Sequence, residues 1–111
     1  MSTEKNLLRE FRRRTAITQS DIGFLMNQSD TISICRYEQG ERKPPMEMIL
    51  LYHLLFDVPV HSLFEVQTDN INEDLIVRIS QLIEKLKLRN PSQRINSRIA
   101  FLTGVFARLT S

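Results

Sequence analysis

A chain of 111 residues with 41% hydrophobic and 25% charged side chains is sized for one compact unit plus, at most, an appended element, and its composition excludes a disordered chain. The net charge is +2, and its excess lies in residues 1–45, which hold 8 Lys/Arg against 6 Asp/Glu, while residues 46–111 hold 7 of each. A balance this close to neutral does not by itself identify a polyanionic partner.

In chain order, Leu7, Leu8 and Phe11 recur at helical spacing among good helix formers such as Glu4, Lys5, Arg9 and Glu10, which predicts a first helix over about residues 3–14. Thr18 reads as the N-cap of a second helix, with Asp21 three residues on completing a capping-box pattern. Ile22, Leu25 and Met26 give that helix its inner face. "NQSD" is turn chemistry, and Ser29 or Asp30 can cap a third helix. In that third helix Ile34 and Tyr37 form the inner side, while Thr31, Ile32, Ser33, Cys35 and Arg36 lie on the other. Gly40 is a stop signal, and Pro44–Pro45 forbids continuation.

A fourth helix is predicted to start near Pro45, with Met48, Ile49, Tyr52, Leu55 and Phe56 on its inner face. "DVPVHSLF" reads as a turn and a short helix offering Val60, Leu63 and Phe64. "EVQTDN" is polar and reads as a linker, after which Asn72 caps a helix with Glu73 and Asp74 in its first turn. Leu75, Ile79, Leu82 and Leu86, widened by Ile76 and Ile83, give its stripe. Asn90–Pro91 ends it, and Ser92 caps a last helix striped by Ile95, Ile99, Leu102, Phe106 and Leu109. No strand-like alternation occurs, so the fold class is all-α. The expected domains are residues 1–66 and a C-terminal helical hairpin, residues 67–111.

Catalytic and metal signatures are missing. There is no GxGxxG and no P-loop, and Cys35, His53 and His61 lack metal-ligand spacing. The expectation is a non-enzyme with no cofactor and no metal. A redox role for Cys35 would require a lowered thiol pKa, whereas a small half-buried thiol is the plainer reading. The longest apolar run, "MILLYHLLF", is too short to span a bilayer, and "MSTEKNLLREFRRR" lacks the apolar core of a secretory signal. The expectations are no membrane partner and a cytoplasmic address, in agreement with a single cysteine.

Two short helices around a tight polar turn, with more helices following, form the pattern of a helix-turn-helix module. A helix about 10–12 Å across fits a B-DNA major groove about 12 Å wide. Thr31, Ser33 and Arg36 can hydrogen-bond to base edges, with Arg36 suited to guanine, and Thr31 or Ile32 can touch a thymine methyl.

The ordered set of Thr18–Gln19, then Arg36-Tyr37-Glu38-Gln39-Gly40, Pro44–Pro45 and Val58-Pro59-Val60 through Leu63-Phe64 resembles the phage-repressor (Cro/CI-like, xenobiotic-response-element) helix-turn-helix regulators over about residues 5–66. The resemblance implies a five-helix lambda-repressor-like domain and a dimeric transcriptional regulator, in the repressor sense, of double-stranded DNA. Carried over by position, Thr31, Ile32, Ser33 and Arg36 would face bases. Gln39, Arg42 and Lys43 would meet phosphates, and Gln19 would meet phosphate or support the third helix. Glu38 would pair with Arg12 as a structural ion pair, while one or two of Arg12, Arg13 and Arg14 are expected to belong to a solvated basic face.

The chain departs from the family pattern at three points. Asn27 stands where Gly is usual, and Gly23 where Ala is common. The stretch from Met26 to Ile34 is one residue longer than in the commonest family pattern.

The hairpin is expected to dimerise the protein as a homodimer, the alternative being packing on its own N-terminal domain. Lys85, Lys87, Arg89, Arg94 and Arg98 cluster at its tip, a solvated face or a phosphate or partner contact. The rival function is a protein-interaction or antitoxin-like adaptor whose C-terminal helices bind a partner protein. DNA affinity that falls steeply with salt distinguishes a regulator from an adaptor.

Overall fold

The computed structural model describes residues 5–28 and 30–111. Within them the chain is all-helical, with seven helices and no strand: α1 (Leu8–Arg13), α2 (Gln19–Leu25), α3 (Thr31–Gln39), α4 (Met46–Phe56), α5 (Val60–Leu63), α6 (Glu65–Lys87) and α7 (Gln93–Thr110). It divides into two compact units, Met1–Thr68 and Asp69–Ser111, against the expected 1–66 and 67–111. No helix among the described residues is long and apolar enough to cross a membrane.

The first unit is built around one apolar cluster to which each of its first five helices contributes. Leu8, Ile22, Ile34, Met48, Tyr52 and Leu63 are fully buried there, with Phe11, Ile17, Met26, Tyr37 and Phe56 packed around them. Burying such a side chain is worth roughly 1.5–3 kcal/mol, so this cluster is the main source of the unit's stability. The Leu7 N–H donates to the Leu63 carbonyl at 2.8 Å, which ties the start of α1 to the end of α5.

Local chemistry sets the helix limits. The Thr18 hydroxyl accepts from the Asp21 N–H, and the Asp21 carboxylate accepts from the Thr18 N–H, each at 3.0 Å: a complete capping box. Asp30 caps α3 through the Ile32 N–H; the other candidate cap, Ser29, lies outside the described residues. Asn27 occupies the left-handed region at φ 59°, which Asn adopts with little strain, and Gly40 ends α3 at φ 77°. Gly23 is buried against the turn, where an added Cβ would sit 3.1 Å from the Gln28 carbonyl oxygen. An alanine there would have to push the turn away.

Several expectations about the helices change. The first helix starts at Leu8, not near residue 3; residues 3 and 4 lie outside the described residues. The Asn6 side chain accepts from the Leu8 N–H at 3.1 Å and donates to the Tyr37 carbonyl at 3.0 Å, so a side chain competes with helical bonding there. Leu25 is half-exposed: α2 ends at this residue and its buried row runs through Ile22 and Met26. Leu55 is likewise exposed, because Met48 and Tyr52 carry the inward row of α4. "EVQTDN" is helical, not a linker. It contains neither Gly nor Pro, and the Thr68 N–H bonds to the Phe64 carbonyl at 2.9 Å, so α6 is already running from Glu65, and Asn72, Glu73 and Asp74 lie in its interior, not at its cap and first turn.

In the second unit, residues 88–92 join α6 to α7, and the Ser92 hydroxyl caps α7 through the Ile95 N–H. Ile79 and Leu86 are buried, Ile76 and Ile83 half-buried, and Leu75 and Leu82 exposed. The apolar arc of α6 is wider than one neighbouring helix covers, which leaves its Leu75–Leu82 edge outside. All five stripe residues of α7 are half-buried and none is buried.

Candidate nucleic-acid interface

α3 is held by its inner side through one carboxylate. Glu38 is 5% exposed and receives hydrogen bonds from three other helices or their caps. Arg12 of α1 gives a bidentate pair, Nε to Oε2 at 2.7 Å and Nη2 to Oε1 at 3.0 Å. Gln19 of α2 donates to Oε1 at 3.0 Å, and the Tyr52 hydroxyl of α4 donates to Oε2 at 2.7 Å. Arg12 also donates through Nη1 to the Ile17 carbonyl at 3.1 Å, which fixes the guanidinium in its plane. A buried charge is tolerated here because it is paired and because both its oxygens are satisfied.

The electrostatics follow from that geometry. Burial pushes the Glu38 carboxyl up, but the hydrogen bonds from Arg12, Gln19 and Tyr52 and the charge of Arg12 outweigh it and hold it below the usual carboxylate range. Its hydrogen bond to Glu38 raises Arg12 further. Burial, and then the bond to Glu38, raise the Tyr52 hydroxyl above the usual phenol range. A depressed carboxyl adds stability above its unfolded value, about pH 4.3, and loses it as pH falls through the folded value; a raised phenol adds stability that starts to be lost above about pH 10. Urea midpoints measured against pH should therefore decline on both flanks. Glu38→Gln should flatten the acid limb and Tyr52→Phe the alkaline one.

The opposite side of α3 is open. Ile32, Arg36 and Gln39 are exposed and follow one another at i, i+4 and i+7, a single row along the helix; Ile32 is 63% exposed. Arg42 and Lys43 are exposed in the segment just after α3. The remaining site residues sit off that row. Thr31 is half-buried and lines a groove of about 520 Å³ with Ser20, Phe24, Asn27 and Gln28. The Ser33 hydroxyl donates to the Asp30 carboxylate at 3.2 Å, so its proton is already engaged. Gln19 uses one amide hydrogen on Glu38 and keeps the other for a second acceptor. Of the three consecutive arginines, Arg12 is in the Glu38 network, while Arg13 and Arg14 are exposed and Arg14 lies 4.4 Å from the centre of the Phe11 ring.

Two participants had no role assigned from sequence. Tyr52 reads as a core aromatic by periodicity, and its hydroxyl partner comes from another helix. Asn6 reads as one more polar residue near a terminus, yet both ends of its amide are used. Its place just ahead of an apolar helical row is the kind of signal that marks a cap.

Comparison with known proteins gives no match: no family model, curated protein or solved structure aligns with this chain.

Proposed function

We infer that this protein is a sequence-specific regulator of double-stranded DNA, a lambda-repressor-like helix-turn-helix protein of the Cro/CI type acting as a homodimer and serving as a transcriptional repressor. The observation that carries this reading is the contrast between the two sides of α3. One side is immobilised by the Glu38 network, and the other offers an open row of Ile32, Arg36 and Gln39. A helix so mounted can enter a major groove without rearranging. Arg36 then addresses guanine, Ile32 and Thr31 lie near thymine methyls, and Ser33 accepts from a base edge. Gln39, Arg42 and Lys43, with the free amide hydrogen of Gln19, meet phosphates and supply affinity without sequence preference. Two copies place two such helices about 34 Å apart on one face of the duplex. No cofactor and no catalysis enter this function.

Selection of bound fragments from a random DNA pool, followed by titration at several salt concentrations, tests the reading. A defined, partly symmetric site and an affinity that falls steeply with salt are expected. No preferred sequence together with salt-insensitive binding would favour the adaptor reading. Within the same assay, Lys43→Ala should weaken preferred and random DNA alike and reduce the salt slope by about 1.

A further inference from the structure

The second unit is electrically polarised along its length. From Asp69 to Val77, α6 carries Asp69, Glu73 and Asp74 and no Lys or Arg, and from Ile99 to Ser111 the chain adds Arg108 alone, so this end keeps a net negative charge. From Arg78 to Arg98, around the turn, the chain carries Arg78, Lys85, Lys87, Arg89, Arg94 and Arg98 against Glu84 alone. Only Lys87 of these cations has a carboxylate within reach among the described residues, Glu84 at 3.4 Å. The basic end also holds a groove of about 710 Å³ between the two helices, lined by Leu82, Arg94, Ser97, Arg98, Phe101 and Leu102. Phe101 is 72% exposed. At the acidic end, Ile71 is 65% and Leu75 42% exposed, one helical turn apart, with Asp74 beside them.

These two ends are complementary in both charge and greasiness, and they lie at opposite ends of one hairpin. We propose that the hairpin of residues 69–111 pairs antiparallel with the same hairpin of a second copy, seating Ile71 and Leu75 of each in the groove of the other and setting each Asp74 against the other's Arg94 and Arg98. The contact is isologous: a two-fold axis near the middle of the rod makes it twice and closes the pair. A parallel pair would instead bring the two cationic tips together, a like-charge juxtaposition. A polyanion such as a DNA backbone would satisfy the arginines but leave Leu82, Phe101 and Leu102 facing water. A second hairpin covers both kinds of group. Asp69 to Lys87 spans roughly 27 Å of helix, so antiparallel pairing sets the two Asp69 residues about that far apart along the rod. This proposal rests on the dimeric part of the functional reading and gives that dimer its orientation.

The test uses the full chain with Cys35→Ser. Ile71→Cys and Ser97→Cys are prepared in separate copies, mixed and mildly oxidised. A disulfide between the two different copies is expected, with little between like copies. Sedimentation should show a dimer that Asp74→Arg, or Arg94→Glu with Arg98→Glu, weakens at least about tenfold. Asp74→Arg combined with Arg98→Glu should restore most of it; circular dichroism confirms that each variant remains helical. Disulfides between like copies would overturn the antiparallel arrangement while leaving a dimer. A wild-type monomer would overturn the proposal and the dimeric reading together. Arginine variants that lose DNA affinity but keep their sedimentation would make the tip a phosphate contact and overturn the proposal. Selection of a DNA sequence through Arg36 is read in a separate titration, so a failure of DNA recognition is distinguishable from a failure of pairing.

Discussion

Glu38→Ala should lower the stability of the first unit by about 3–5 kcal/mol, a large part of what a domain this size possesses. The loss does not come from one ion pair. Removing the carboxylate leaves a largely buried guanidinium without its partner, and it takes the acceptor from the Tyr52 hydroxyl and the Gln19 amide at the same time. Arg12→Ala should be costly for the mirror-image reason, since it leaves a carboxylate of 5% exposure with only neutral donors. The double variant should cost clearly less than the sum of the singles, because each single already includes the penalty of the orphaned partner. Glu38→Gln should fall between, since its amide oxygen still accepts. Urea unfolding followed by circular dichroism measures all four. A Glu38→Ala midpoint close to wild type would mean that the network is dispensable and that α3 is held by Ile34 and its apolar neighbours alone.

Arg36→Ala is the second large effect, and it is one of choice more than of stability. Arg36 is exposed on the open row of α3, so the fold should be indifferent to its loss. On the proposed reading, the variant should lose its preference at one base-pair position, at a cost of about 1–3 kcal/mol for the preferred sequence. Random DNA should lose much less. Competition between the selected sequence and its single-position variants gives both numbers. If the preferred sequence is unchanged in Arg36→Ala, the base-facing row has been assigned to the wrong side chains.

The parts of this fold that were readable in the sequence are those decided within a few residues. Thr18 and Asp21 define a helix start by themselves, because a capping box closes over three residues. Gly40 and Asn27 sit where the backbone turns left-handed, and few other residues do so cheaply. The inward positions Ile22, Ile34, Met48 and Tyr52 follow from helical spacing, as does the placement of Arg36 opposite Ile34.

What was not readable depends on partners far away in sequence. Periodicity marks Leu25, Leu55, Leu75 and Leu82 as apolar, but it does not say how wide a stripe the neighbouring helices can cover. On polarity alone "EVQTDN" reads as a linker. A polar surface helix has the same composition, and only the absence of Gly and Pro distinguishes the two. The pairing of Glu38 with Arg12 follows only from the family resemblance. Nothing in the spacing of residues 12, 19, 38 and 52 says that four helices meet at one carboxylate.

Asp30 gives α3 a direction. Its carboxylate holds the Ile32 N–H at 2.8 Å and the Ser33 hydroxyl at 3.2 Å, so the positive pole of the helix dipole is already occupied by an anion of the protein itself. A phosphate approaching that pole would be repelled. Every cation that α3 and the segment behind it can offer a duplex, Arg36, Arg42 and Lys43, lies toward the far end. The helix is thus lopsided as an electrical object, and on the proposed reading a duplex would be drawn first to its trailing end.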